Sequence, residues 1–194
     1  MIFENVTRFL EWRDDCDAIL NYNKDIIMTS GGFDPLHVGH LRCIQETVLI
    51  AKDSRRYPKV LKPLVLVIVN CDDFLKAKKG YNFMSLEDRM EIIHAIDGVD
   101  VVLPWFYSND DFTVVKAIDM IKPKYFTKGG DRTDATNIPE WEICQQRGCE
   151  VITGVGGKKI RSSSELVEKA DRFNLEAAEL AGWAEGYGEG RDSQ

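Results

Sequence analysis

Five short apolar runs, separated by stretches of helical periodicity, predict an α/β fold: a doubly wound parallel sheet of five strands with helices on both faces. The runs lie at 25–29 (DIIMT), 64–70 (LVLVIVN), 100–103 (DVVL), 124–127 (KYFT) and 150–153 (EVIT). All are short and rich in β-branched or aromatic residues, as strands covered on both faces should be. Helices are expected at 38–52, 85–96, 111–121, 139–147 and 162–173. The clearest opens at Ser85, which stands in capping-box spacing with Asp88 ahead of Met90, Ile92, Ile93 and Ile96. A Rossmann-like sheet of this kind takes its ligands beyond the carboxyl ends of the strands, so the chemistry is expected just after them.

Three segments lie outside this body. Residues 1–24 read as an N-terminal helical extension, with the helix at 3–21. Residues 53–63 (DSRRYPKVLKP) form a basic, proline-bounded insertion. Residues 168–194 combine a helix end with an acidic, Gly-rich tail that from Gly182 has little to bury and is expected to be disordered.

The formal charge of -7 is mostly peripheral. Residues 168–194 hold seven acids against three bases and residues 1–24 five against three, which leaves about -1 for the body. An acidic chain argues against a broad nucleic-acid surface. No apolar run approaches the roughly 20 residues that span a bilayer, and the N-terminus lacks the apolar stretch of a secretory signal, so a cytoplasmic protein without a membrane partner is expected. The five cysteines are scattered, without a Cys-x-x-Cys pair, and read as reduced thiols.

After the first run comes Thr29-Ser30-Gly31-Gly32-Phe33-Asp34-Pro35-Leu36-His37-Val38-Gly39-His40, leading into a helix. Glycines let the backbone approach a phosphate closely, and the helix start presents free N–H groups and the positive end of its dipole. His37 and His40, three residues apart, can both face a bound triphosphate and donate hydrogen bonds where charge develops. As half of a zinc site they would need a third ligand, for which Cys43 is the nearby candidate; no metal site built from protein side chains is expected.

Gly-x-Phe-Asp-x-x-His-x-Gly-His at a first strand-to-helix turn resembles the signature of the cytidylyltransferase-like nucleotidyltransferases, among them the heptose-phosphate adenylyltransferases and the glycerol-3-phosphate and ethanolamine-phosphate cytidylyltransferases. The resemblance covers residues 25–167 and implies that this stretch is the catalytic domain. It implies nucleotide contacts from Gly31, Gly32, Phe33, Asp34, Gly39 and His40. Asn70-Cys71-Asp72 resembles the family's Asn-Ser-Asp; Lys76, Lys78 and Lys79 stand where relatives place phosphate-contacting lysines, and Asp72, Lys76 and Lys78 are the expected acceptor residues. Leu86-Glu87-Asp88-Arg89 resembles a helix start whose arginine either holds the acceptor or is a salt-bridged structural residue. Lys128-Gly129-Gly130-Asp131 resembles the run that lines the nucleotide pocket of the adenylyltransferases. Ser162-Ser163-Ser164, preceded by Lys159 and Arg161, resembles the serine and threonine motif at the last helix start, where hydroxyls and basic groups meet the β- and γ-phosphates. Gly31-Gly32 departs from the Gly-Thr, Gly-Cys or Cys-Tyr of relatives, and Arg161 stands where relatives have a small or apolar residue.

The resemblance implies a reaction in which the acceptor's own phosphate displaces pyrophosphate in line from a magnesium triphosphate. His37, His40 and Arg161 would stabilise the transferring phosphates, and Lys76 or Lys78, with Arg89 as a further candidate, would neutralise the acceptor. Mg²⁺ is the expected cofactor, entering with the nucleotide. AMP transfer to a sugar phosphate is favoured; CTP with an alcohol phosphate, and a nucleotide-binding regulatory module without turnover, are the alternatives. Relatives are commonly dimers, with the N-terminal helix as a candidate interface. A P-loop is excluded because its first glycine position is Ile152 and Lys159 follows Lys158.

Overall fold

The computed structural model describes residues 1–20, 25–53, 62–106, 111, 113–130, 132, 136–158 and 160–188. The elements alternate as expected: α1 (Val6–Leu20), β1 (Ile26–Gly31), α2 (Val38–Lys52), β2 (Leu64–Asn70), α3 (Asp72–Lys79), α4 (Leu86–His94), β3 (Val101–Trp105), α5 (Val115–Ile121), β4 (Tyr125–Gly129), α6 (Trp141–Gln146), β5 (Glu150–Val155) and α7 (Ser163–Gly188). All five strands are parallel, in the order β3-β2-β1-β4-β5. The winding reverses between β1 and β4, and the sheet opens there at its carboxyl edge.

The period of two along each strand divides the core. Ile26, Met28, Leu66, Ile68, Leu103 and Phe126 face the side covered by α1, α5 and α6. Val67, Val69 and Val102 face α3 and α4, and Ile27, Val65 and Tyr125 pack with Val48 and Ala51 of α2. The N-terminal extension belongs to the first of these layers. Val6 and Phe9 are buried, Phe3, Phe9 and Trp12 form an aromatic cluster with centroids 5.5 to 6.0 Å apart, and Ile2 bridges to Val102 on the edge strand. Its apolar residues thus lie against its own sheet, where a buried Phe is worth about 3 kcal/mol.

Two elements differ from expectation. The sequence reading left 72–79 without a helix, yet Asp72 and Asp73 in the first turn, three lysines in the last and Gly80 in the left-handed C-cap conformation are a full set of helix signals. The last helix runs past residue 173 and through Gly182 to Gly188. Most of the 53–63 insertion, and residues 189–194, lie outside the described residues.

Buried charge holds the loops at the carboxyl edge. Arg89, on α4, is fully buried. Its Nε donates to the carbonyls of Met84 and Ser85, its Nη1 to those of Gly32 and Asn70, and its Nη2 to Asp72 Oδ1 at 2.5 Å. One guanidinium therefore ties the end of β1 to the end of β2. Of the two roles open to Arg89, full burial and these bonds support the structural one, with the partly exposed Asp72 as its ion-pair partner. Asp34, expected as a nucleotide contact, also spends its carboxylate within the fold. It is fully buried, and its carboxylate accepts from the backbone N–H groups of Phe83 and Met84 at 2.8 and 2.7 Å, which pins the loop after β1 to the segment before α4.

Removing one partner of a buried, hydrogen-bonded ion pair leaves carbonyls and a carboxylate unsatisfied. Arg89→Met is expected to lower stability by about 3 to 5 kcal/mol in urea unfolding. Arg89→Lys should recover little of it, because one ammonium cannot reproduce the five-donor fork.

Candidate active site

A cavity of about 900 Å³ opens at the switch point between β1 and β4. Its lining brings together most of the residues the sequence singles out: Gly31, Gly32, Phe33, His37, Gly39 and His40 from the first turn, Lys78 from α3, Lys128, Gly129 and Gly130 after β4, and Arg161, Ser162, Ser163 and Ser164 at the start of α7. Segments some 130 residues apart in sequence thus meet over one sheet edge.

His37 is the N-cap of α2, and its Nδ1 accepts from the Gly39 N–H at 3.0 Å. That bond places the proton of the neutral ring on Nε2, the nitrogen left to donate. A Cβ at Gly39 would stand 2.9 Å from His37 Cε1, so the glycine between the histidines is required for this cap. The His40 ring stacks on His37 at 3.8 Å, with 17° between the planes, and Phe33 meets His40 edge-on at 5.3 Å. Phe33 holds a left-handed φ of 52°, a conformation costly for a bulky residue.

Both imidazoles are held neutral. Burial pushes His40 down to about 3, with His37 and Lys79 adding repulsion. Burial and the nearby Arg161 push His37 down as well. Two stacked rings cannot readily share a positive charge, which adds to the burial that keeps both neutral.

The start of α7 faces the same cavity. Ser162 Oγ accepts from the Glu165 N–H, and Glu165 Oε2 accepts from the Ser162 N–H, a reciprocal capping box. Ser163 Oγ donates to the Pro35 carbonyl at 3.1 Å and joins this helix to the first loop. Two of the three hydroxyls are thereby committed to structure, and the helix contributes its unpaired N-terminal N–H groups and dipole. Gly156, at φ 84°, lets the β5–α7 connection pass α2; a Cβ there would lie 2.7 Å from the Cys43 nitrogen.

The lysines fall differently from expectation. Lys76 is exposed and does not line the cavity, whereas Lys78 and Lys79 do. The helical turn explains the correction: residues 78 and 79 share the face of Leu75, which packs under Gly32, while 76 shares that of Asp72 and Asp73. Lys79 Nζ donates to the Asp34 carbonyl at 2.6 Å. Asp131 and Lys159 lie outside the described residues.

Glu140, which the sequence reading did not single out, is 5% exposed at the head of α6 and lines the cavity. It lies 3.3 Å from Lys128 Nζ, which also donates to Ser30 Oγ. Burial pulls Lys128 below its usual value, and Glu140 pushes the other way. Among the described residues, Glu140 is the carboxylate lining the cavity, and it is ion-paired with Lys128. No helix among the described residues is long and apolar enough to cross a membrane.

Comparison with known proteins agrees with this geometry. The bifunctional protein HldE of Syntrophotalea carbinolica is 29% identical over 166 residues, covering 83% of this chain and 30% of the relative. HldE of Coxiella burnetii is 31% identical over 150 residues, covering 76% and 28%. The chain thus spans under a third of the length of these curated relatives. A lipopolysaccharide core biosynthesis protein from Thermoplasma volcanium shares the fold, with a TM-score of 0.51 at 19% identity over 70% of this chain and 98% of that one. Residues 28–163 match the cytidylyltransferase-like family, a span that carries the first turn, the lysines of α3, the turn after β4 and the head of α7. The chain therefore belongs to the cytidylyltransferase-like family of nucleotidyltransferases.

Proposed function

We propose that the protein transfers a nucleoside monophosphate, AMP by preference, from a magnesium nucleoside triphosphate to a small sugar phosphate and releases pyrophosphate. The observation that carries this reading is the convergence of donors on one cavity: the neutral His37 and His40 pair, the N-termini of α2 and α7, Arg161, and Lys78 and Lys79. Hydrogen-bond donors held in place before the reaction stabilise charge that grows on the α-phosphate without reorganising.

An acceptor phosphate is already a nucleophile near neutral pH, so no general base is called for; in-line positioning and neutralisation suffice. His37 Nε2–H is the donor best placed for the α-phosphate, and Arg161 with the head of α7 takes the pyrophosphate end. Lys78, expected from sequence, and Lys79 line the cavity and would meet the acceptor phosphate. The preference for AMP rests on the Lys128-Gly129-Gly130 run, all three residues of which line the cavity, and on its likeness to the adenylyltransferase motif.

His37→Ala is expected to keep its fold and to lose about 10²- to 10³-fold in kcat, the range for removing one such donor, measured as pyrophosphate release with ATP and a panel of sugar phosphates. Unchanged turnover would contradict the role. Thermal shifts with ATP, CTP, GTP and UTP, each with Mg²⁺, test the base: the largest rise is expected with ATP.

The histidines also set an acid limit. The unfolded chain protonates His40 near pH 6.5, whereas the folded chain resists until about 3. Unfolding thus takes up a proton between those values, and stability present above pH 6.5 is lost as the pH falls, by up to about 1.4 kcal/mol per unit for this group. His40→Asn is expected to flatten the fall in urea stability between pH 6.5 and 4.5 by about one proton; an unaltered slope would refute the assignment.

A further inference from the structure

The cavity carries two kinds of chemistry on opposite faces of the sheet. On the α2 face stand donors: the histidine pair, Arg161 and Lys79, suited to phosphate oxygens that only accept. Toward the face of α5 and α6 stand acceptors. Glu140 is 5% exposed, and its Oε2 has no hydrogen-bond partner among the described residues. The Lys128 ammonium, 3.3 Å away, pairs with Oε2 as an ion and partly satisfies it, and the other oxygen, Oε1, accepts from the Val114 N–H at 3.5 Å. Asn70 Oδ1, at the end of β2, is a second buried acceptor without a partner, and Asn70 also lines the cavity.

A buried acceptor without a donor is costly, and an unpartnered amide oxygen beside a carboxylate with spare lone pairs is matched by a ligand that brings donors. A phosphate dianion has none. An ammonium would set a second cation beside Lys128 around one carboxylate, whereas a neutral hydroxyl satisfies Glu140 without disturbing that pair.

We propose that Glu140, supported by Asn70, accepts hydrogen bonds from hydroxyl groups of the acceptor and is the specificity-determining residue that selects a polyhydroxylated phosphate over an amino-alcohol phosphate. This rests on the nucleotidyl-transfer reading and adds to it the residue that reads the acceptor. A site built to bond a hydroxyl rejects an analogue lacking it far more strongly than a merely apolar pocket does.

The test compares wild type with Glu140→Gln by pyrophosphate release at saturating magnesium triphosphate. The acceptors are sugar 1-phosphates, their singly deoxygenated analogues, glycerol 3-phosphate and ethanolamine phosphate. Wild type is expected to favour the sugar phosphates and to show a KM about tenfold or more higher for one deoxy analogue. Glu140→Gln is expected to raise the sugar-phosphate KM by about tenfold or more, to stop distinguishing that analogue, and to keep the triphosphate-induced thermal shift of wild type. A variant KM within about twofold of wild type, or equal wild-type KM for all deoxy analogues, overturns the inference and leaves nucleotidyl transfer standing. So does turnover of ethanolamine phosphate ahead of the sugar phosphates. The deoxy series needs no substitution, so it decides the matter even where the variant does not fold. Absence of pyrophosphate release with every acceptor, despite a retained thermal shift, overturns the transfer reading and this inference with it.

Discussion

A parallel sheet leaves a gap at its carboxyl edge where the winding reverses, and the loops around that gap have no ladder of their own to fix them. In this protein two buried charges do so. Arg89 joins the end of β1 to the end of β2 through Gly32, Asn70 and Asp72, and Asp34 ties the first loop to the residues before α4. Ser163 adds the start of α7 to the same loop through Pro35. Without these ties the histidine pair would have the right sequence and no fixed place; with them, its donors are preorganised in the sense that catalysis by charge stabilisation requires.

That arrangement also explains why the motif contains the residues it does. Gly39 is there because the His37 ring folds back over it to cap α2, and the same bond sets the tautomer that leaves Nε2 donating. Phe33 accepts a left-handed backbone to put its ring against His40. Asp34, constant in the reading of the motif as a nucleotide contact, is instead the anchor of the loop. The chemistry-bearing atoms are few, and most of the signature serves to hold them.

Much of this was legible in the sequence. The strands stood out because each is a short β-branched run, and β2 begins and ends where its residues indicate. The first turn and the serines were found because glycines before a helix and hydroxyls at a helix start carry their own physical signals. What the sequence does not carry is side-chain direction. Asp34 and Arg89 are charged, and charge in a motif reads as contact with ligand until burial shows it satisfied within the fold. Lys76 was chosen over Lys79 because 72–79 was not recognised as a helix, and the phase of that helix decides which lysine faces the cavity. Glu140 was invisible for a different reason: its importance comes from Lys128 and the end of β4, which only the tertiary fold brings beside it.

The central claim is that the α-phosphorus of a nucleoside triphosphate passes to an acceptor phosphate in this cavity. Phosphorus NMR of the protein with magnesium ATP and a mixture of sugar phosphates follows that atom directly. The account predicts a new pair of coupled diphosphate resonances from AMP joined to acceptor, growing in step with pyrophosphate. Release of orthophosphate with ADP, or ATP left intact while a thermal shift proves it bound, would contradict it.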